Sequence, residues 1–348
     1  MPSYSALRSG LAAVALAALA AACAEPPPPV ITPPPPAPPG VTLSPRLIEQ
    51  AAAYRRYMDR ATDIAPSFAD GASIAQSLEA GAAYEPSQLV RGAIAYAAVV
   101  ALQDQAFVEG VRAYARNPTS RREVAYELMK DPAYAVGLPN SAGAAGLVIA
   151  AIGGGGQQLY DGGKAVKQSA YDIQKAAWSK GEVPARDLRL TRAKTLSSST
   201  MVGDTAETLR LQQATVGAAP LGLSAQPAAP PYTPTVVRGL AVAALAALGE
   251  GGDTNLQTIL ALTSEPNVST CMGMSKLNLY QCLAVARPHY EDVFCLGQHA
   301  MMDTGRCVIR AAGLPEPYEA RFVPSQESID KGMPTKKKPA ARKGKRKG

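Results

Sequence analysis

The chain has 348 residues, of which 47% are hydrophobic and only 5% aromatic, and its formal net charge is +7. This composition, rich in alanine and poor in Phe and Trp, argues against a sheet-rich fold. The length is enough for one large or two small domains. Eight positive charges and no acidic residue fall in the last fifteen positions, so the rest of the chain is nearly neutral. The composition therefore excludes strong basicity in the part of the chain before these last fifteen residues.

Residues 1–22 have the layout of a bacterial secretory signal peptide. Arg8 supplies a short positive region, and an apolar run of twelve residues, LAAVALAALAAA, follows it. Such a run is too short for a permanent membrane-spanning helix. We expect cleavage either before Cys23, by a lipoprotein peptidase, or near Ala22 or Ala24, by an ordinary signal peptidase.

The stretch LAAAC, which ends at Cys23, resembles the lipobox of bacterial lipoproteins, with alanine instead of leucine three residues before the cysteine. The resemblance implies a diacylated thiol on Cys23 and attachment to a membrane. Residues 23–43 are predicted to be this anchor and a tether, because the proline run over 26–39 forms an extended spacer. Ala24 does not resemble an inner-membrane retention signal, so the resemblance implies the outer membrane, on the periplasmic side.

Residues 44–215 are predicted to form the main helical domain. Ser44 and Pro45 together make a helix start, since a capping hydroxyl precedes proline in the first turn. The run AIAYAAVVAL in the third helix predicts complete burial, and no segment alternates apolar and polar residues for long enough to indicate a sheet. The predicted helices cover residues 44–64, 66–83, 86–103, 104–117, 118–130 and 184–214.

The segment 142–179 is the predicted centre of the fold. Large apolar residues recur there every seven positions, and a small residue follows each of them by three positions, which describes a narrow helical seam for another helix. The four consecutive glycines at 153–156 leave open whether this helix is continuous or interrupted by a loop, because each costs about 1 kcal/mol relative to alanine. The large residues are Ile152, Leu159, Val166 and Ile173, and the small ones are Gly155, Gly162, Ser169 and Ala176.

Residues 216–234 are predicted to be either a linker between two domains or a surface loop of one. An apolar helix follows over 235–249 and begins a C-terminal helical region, 235–325. Its alanines and Gly239 favour close packing against the central seam. With fifteen residues and Arg238 inside, it is a poor candidate for a membrane span.

Four cysteines remain after export, and an even number in an exported chain favours disulfides. Two helices that fold back at about residue 288 would bring Cys282 opposite Cys295 and Cys271 opposite Cys307. Sequential pairing is harder, because Cys271 and Cys282 would lie about 16 Å apart along a helix, whereas a disulfide needs Cα atoms within about 7 Å. A zinc site is disfavoured, since no two cysteines are closely spaced.

The candidates for acid–base chemistry or metal binding are the chain's two histidines and the acidic residues near them. His299 lies four residues before Asp303, and His289 is near Glu291 and Asp292. The chain has no Gly-x-Ser-x-Gly and no His-Glu-x-x-His motif, so most hydrolase arrangements lack a base. We therefore predict no catalytic residue, no metal site and no cofactor.

Residues 326–348 are predicted to be a disordered basic tail. Its side chains are expected to contact anionic lipid, lipopolysaccharide or the cell wall, each contributing about 1 kcal/mol near an acidic membrane. Export argues against nucleic acid as a partner. The residues are Lys336, Lys337, Lys338, Arg342, Lys343, Lys345, Arg346 and Lys347.

The sequence thus predicts an all-α envelope lipoprotein with a structural or binding role. Its fold is an irregular multi-helix bundle around a long Gly/Ala-rich central helix, with a C-terminal helical hairpin stapled by disulfides. Two alternatives stay open: an envelope enzyme acting on lipid or cell wall, and a carrier of a small apolar ligand. The segments AVKQSAYDIQKAAWSK and NLYQCLAVARPHYEDVFCLGQHAMMDTGRC resemble stretches of uncharacterised exported proteins of alpha-proteobacteria, a resemblance that implies no site residues.

Overall fold

The computed structural model describes residues 37–318. The predicted signal peptide, Cys23, the tether up to residue 36 and the basic tail lie outside the described residues and stay predictions. From Pro38 onward the described chain forms one compact unit.

The described residues contain thirteen α-helices and no β-strand, and their β-type pairing is limited to the isolated bridges Leu43–Gly251 and Glu182–Pro288. The predicted all-α fold is confirmed. In chain order the helices are α1 (Pro45–Thr62), α2 (Gly71–Ala82), α3 (Pro86–Ala101), α4 (Gln105–Ala115), α5 (Pro118–Lys130), α6 (Ser141–Ile173), α7 (Arg186–Ser198), α8 (Thr205–Thr215), α9 (Pro234–Ala247), α10 (Leu256–Leu262), α11 (Pro266–Val285), α12 (His289–Cys295) and α13 (Thr304–Ala311).

A π-helix, Leu296–Asp303, joins α12 to α13 without a break in helical backbone geometry. Residues 289–311 are therefore one continuous helix, called the C-terminal helix below. Asp303, Thr304 and Gly305 lie within this helix.

Helix starts follow the capping signals of the sequence. The Ser44 hydroxyl accepts a hydrogen bond from Arg46 N at 3.3 Å, with proline at the first helical position. The Asp104 carboxylate accepts from Phe107 N at 2.8 Å and begins α4. These side chains satisfy backbone N–H groups that have no partner within the helix.

Two predicted helices are shorter or divided in the structure. The helix expected over 66–83 begins only at Gly71, because Asp70 provides the cap by accepting from Ser73 N at 2.8 Å. The single helix expected over 184–214 is two helices, α7 and α8. Residues 199–204 interrupt it, and the Asp204 carboxylate caps the second helix by accepting from Ala206 N at 2.8 Å.

The central helix α6 is continuous through the four glycines at 153–156. Of the residues at seven-residue spacing, Ile152, Leu159 and Val166 are buried, and Ile173 is partly buried. The helix ends at Ile173, earlier than predicted, and a short 3₁₀ turn follows at Ala177–Lys180.

The small residues that allow close approach lie one position further along α6 than predicted. A methyl group on Gly163 would lie 2.7 Å from Met302 N, and one on Gly156 would lie 2.9 Å from Ile309 N, closer than side chains can come. At Gly155 and Gly162 the nearest atoms are flexible methionine ends, at 3.6 and 3.3 Å. Residues four apart lie on the same face of a helix. The helix that packs on α6 therefore contacts Gly156 and Gly163, which lie four positions after the large residues Ile152 and Leu159.

The partner of this seam is the C-terminal helix, and the prediction that the helix over 235–249 fills this position is wrong. The C-terminal helix supplies the most extensive packing on α6. The predicted partner, α9, packs mainly on α3, where a methyl group on Gly239 would lie 2.6 Å from Ala97 Cβ. Gly239 is therefore needed for close packing, but against a different helix.

Two glycines of the C-terminal helix face the seam glycines of α6. A methyl group on Gly305 would lie 2.9 Å from Gly156 O, and one on Gly297 would lie 2.8 Å from Gly163 O. The two glycines are seven residues apart on α6 and eight apart on the C-terminal helix. Because a π-turn holds one more residue than an α-turn, the π-helix keeps both partner glycines on one face.

The cysteine pairs are nested, as the spacing predicts. Cys271 is bonded to Cys307 and Cys282 to Cys295, with Cα–Cα distances of 5.8 and 5.7 Å. Both bonds join α11 to the C-terminal helix, so the disulfide-stapled hairpin is part of the observed fold.

The predicted linker or loop contains no helix from residue 216 to residue 233, and Pro234 begins α9. The helices on its two sides both pack on α3, and α9 also packs on α6. No helix within residues 37–318 combines the length and apolar composition that crossing a bilayer requires.

We expect Gly163→Ala to destabilise the fold by about 2 kcal/mol, because the added methyl group would meet the backbone of the C-terminal helix. The matched change is Gly154→Ala, on the open side of α6, where nothing lies within 4 Å. It should stabilise the protein by about 1 kcal/mol through helix propensity. Urea unfolding followed by circular dichroism measures both; a stabilising Gly163→Ala would refute the close contact.

Candidate functional site

His299 and Asp303, which the sequence places on one helix face, form a pair in the structure. His299 Nδ1 lies 2.7 Å from Asp303 Oδ2, and Asp303 also accepts from Gln298 Nε2 at 3.0 Å. The nearby Ser275 hydroxyl donates to the backbone oxygen of His299, at 2.6 Å, and not to the imidazole. The geometry is therefore that of a paired histidine on a helix surface, without a nucleophile held by the ring.

His289 does not join the acidic residues next to it in the sequence. Its ring packs against Gly71 and lies 6.3 Å from the Trp178 ring, between centroids. Burial and the neighbouring Arg189 guanidinium lower the pKa of His289. Its sequence neighbour Glu291 accepts from the backbone of Arg287 at 2.8 Å instead.

The partner of Asp292 is Arg189 on α7, which sequence reasoning missed. The pair is almost fully buried, and Arg189 also donates to the Leu283 carbonyl oxygen at the end of α11. Arg186 adds a hydrogen bond to Ala286 O at 2.9 Å. The two arginines thus satisfy carbonyls that a helix end leaves without partners. Burial raises the pKa of Asp292 to about 6, although Arg189 acts against this shift.

A second buried polar cluster surrounds Lys276, the one charged residue of α11. Its Nζ donates to Ala82 O at 2.6 Å and lies 3.4 Å from the centroid of the Tyr84 ring. The Tyr84 hydroxyl is 2.8 Å from Thr304 Oγ1, which is also 2.8 Å from Ser275 Oγ. Burial lowers the pKa of Lys276 well below its usual value.

This cluster contains residue types that catalytic sites use, but its side chains are not accessible to a substrate. Tyr84, Ser275, Lys276 and Thr304 are each at most 4% exposed. A substrate would have no route to Lys276 in this conformation, and its hydrogen bonds are made within the fold. We interpret the cluster as a structural junction between the α2–α3 connection, α11 and the C-terminal helix. No local sequence signal reveals it, because Lys276 lies far from Tyr84 in the chain.

A groove lies beside the break between α7 and α8. We call residues 199–204 the strap. Met201 N donates to Gln88 Oε1 at 2.8 Å, and Arg56 donates to Val202 O at 3.2 Å. A methyl group on Gly203 would lie 2.7 Å from Ala52 Cβ, so the strap lies directly on α1.

The strap, α1, α3 and α8 enclose a groove of about 700 Å³, called the arginine groove below. Its charged lining residues are Arg46 and Glu49 from α1 and Arg91 from α3. The α1–α3 crossing brings them together, because Gly92 has no side chain to collide with the backbone of Gln50. The volume is within the range of small-ligand sites, about 300–1,000 Å³.

No side chain within residues 37–318 forms an ion pair with the three charged residues of the arginine groove. These residues, Arg46, Glu49 and Arg91, are all exposed. On the same helix α1, by contrast, Arg55 pairs with Asp59 at 2.6 Å. Local sequence gave no reason to single out Arg46 or Arg91, since the helix crossing alone makes them neighbours.

Apart from the disulfide cysteines, the predicted site residues are not placed by the structure. Cys23 and the eight basic residues of the tail lie outside the described residues. Within residues 37–318 no three His, Cys, Asp or Glu side chains are grouped to hold a metal ion. The chain matches no family model, and no curated protein or solved structure shows significant similarity to it.

The raised pKa of Asp292 predicts a pH-dependent stability. Between about pH 4 and pH 6 the folded state keeps a proton on Asp292 that the unfolded state has released. Stability should therefore fall by about 2–3 kcal/mol as the pH rises through this window. The lowered pKa of His289 acts in the opposite direction.

Comparison with Asp292→Asn isolates this contribution, because the variant keeps His289 and all other titrating groups. We expect the variant's stability to decline less steeply between pH 4 and pH 6 than that of the wild type. Urea unfolding at several pH values gives both profiles, and parallel profiles would contradict the raised pKa.

Proposed function

We propose that the protein is an exported, lipid-anchored protein of the bacterial cell envelope whose helical body binds other envelope components without catalysis. The observation that carries this proposal is the nested pair of disulfides, Cys271–Cys307 and Cys282–Cys295. Such bonds persist in oxidising compartments such as the periplasm and are rare in the cytosol.

The cysteine count supports the anchor. Of the five cysteines in the chain, four are used in the two disulfides. The fifth, Cys23, ends the lipobox-like stretch, and lipidation gives it a role without leaving a reactive thiol in the periplasm.

The proline-rich segment supports a tethered arrangement. The body begins near Pro39, whose carbonyl oxygen accepts from Arg112 at 2.9 Å and whose ring lies against Gly249. Between Cys23 and this point, about fifteen residues of proline-rich chain would reach roughly 45 Å at about 3 Å per residue. This spacing would hold the body clear of the outer membrane.

The basic tail supplies a second contact in this proposal. Its eight lysines and arginines occupy residues 336–347 without an acidic residue between them. On the periplasmic side they would bind anionic lipid, lipopolysaccharide or cell-wall carboxylates through charge attraction.

Mass spectrometry of the mature protein should show a diacylglycerol adduct on an N-terminal Cys23. The variant Cys23→Ser should lack the adduct and move from the membrane fraction to the soluble periplasm, because no lipid holds it. The proposal of a lipid anchor fails if the wild-type N-terminus lies beyond Cys23 and carries no lipid.

In the unlipidated Cys23→Ser variant, deletion of residues 334–348 should weaken binding to vesicles that contain anionic phospholipid, since the tail's positive charges are lost. Vesicles of neutral phospholipid are the control, to which both proteins should bind equally weakly. Co-sedimentation measures the bound fraction. Equal binding of both proteins to the anionic vesicles would remove the tail from the proposed function.

A further inference from the structure

We propose that the arginine groove binds a short acidic peptide with a free amino group. The proposal adds a ligand to the binding role described above. It depends on neither the lipid on Cys23 nor the basic tail, so failure of those tests leaves it standing.

The charges of the groove define the ligand's charges. Arg46 and Arg91 line the groove from two different helices, and neither has a carboxylate partner in the described part of the chain. A guanidinium binds a carboxylate through two parallel hydrogen bonds. Two guanidinium groups therefore favour a ligand with two carboxylates. Glu49, on the same groove and also without an ion pair, fits an ammonium group.

Glu49 also distinguishes between classes of anion. A ligand with negative charges only, such as a phosphate or a sulfated sugar, would be repelled by this carboxylate at close range. A peptide with at least two carboxylates and a free amine can pair with the two positive charges and the negative charge. The groove's charges therefore favour an acidic peptide over a simple polyanion.

The uncharged lining of the groove suits a peptide as well. Thr200 and Thr205 supply hydroxyls, which both donate to peptide carbonyls and accept from peptide N–H groups. Met201, Val202 and Leu209 supply an apolar wall for aliphatic side chains. A volume of about 700 Å³ leaves room for a ligand of several residues.

The groove is built on fixed elements, so a ligand would not have to order it. Gln88 and Arg56 hold the strap by hydrogen bonds on its two sides. Gly92 and Gly203 fix the distances from α1 to α3 and from α1 to the strap. Gln88 and Arg56 hold the strap but are not among the residues assigned to contact the ligand. Different residues therefore shape the groove and bind the peptide.

Two sources in the cell envelope share this chemistry: the stem peptide of the cell wall and acidic N-terminal segments of proteins. Isothermal titration calorimetry on the full-length mature protein in detergent would use one probe for each. The probes are L-alanyl-γ-D-glutamyl-meso-diaminopimelate and an all-L alanyl-glutamyl-glutamate. Binding of the first alone assigns the cell wall, and binding of the second assigns a protein segment; either result supports the proposal.

Variants connect the binding to the groove. Arg46→Gln and Arg91→Gln should each weaken binding about tenfold, because each removes a charge-assisted pair. Arg122→Gln, on the exposed side of α5, is the matched control and should have no effect. Acetylation of every free amine of the probe should weaken binding to the wild type but not to Glu49→Gln, since this variant already lacks the amine's partner. Thermal unfolding verifies that each variant is folded.

Three results would overturn the proposal. The first is no binding of either acidic probe at millimolar concentration. The second is equal binding of an alanyl-lysyl-lysine peptide, which has the wrong charge. The third is binding that neither Arg46→Gln nor Arg91→Gln weakens, which would place the peptide elsewhere on the protein.

Discussion

The fold depends on the backbone contact between α6 and the C-terminal helix. Gly156 and Gly163 on one helix lie against Gly305 and Gly297 on the other, where a single methyl group would already collide with backbone atoms. Glycines in a helix interior are unfavourable by about 1 kcal/mol each, so α6 is not a helix that local preference maintains. Its stability comes from the dense contacts that the absent side chains allow.

The π-helix follows from the same constraint. In a regular α-helix with its contact glycines eight positions apart, the second glycine would be turned away from α6. One wider turn restores the alignment, and Gln298, His299 and Asp303 lie within it. A π-helix often marks a functional site; here its packing role suffices to explain its presence.

The C-terminal helix is held in place by several independent contacts. Two disulfides join it to α11, Arg189 binds Asp292 and the end of α11, and Thr304 joins the buried cluster around Lys276. These contacts connect α7, α11 and the C-terminal helix at both ends of the hairpin. A body fixed in this way presents its surface grooves with constant geometry, and this is what a binding site without moving parts requires.

The sequence alone was sufficient to predict the features that depend on residues close together in the chain. The cap at Ser44, the start of a helix at Asp104 and the burial of the third helix follow from patterns within a few residues. The nested disulfides were predictable too, because one contiguous hairpin brings their cysteines together. The break at 199–204, the register and partner of the glycine seam, the Arg189–Asp292 pair and the arginine groove were not. Each depends on how distant helices cross, and no residue's immediate neighbours carry that information.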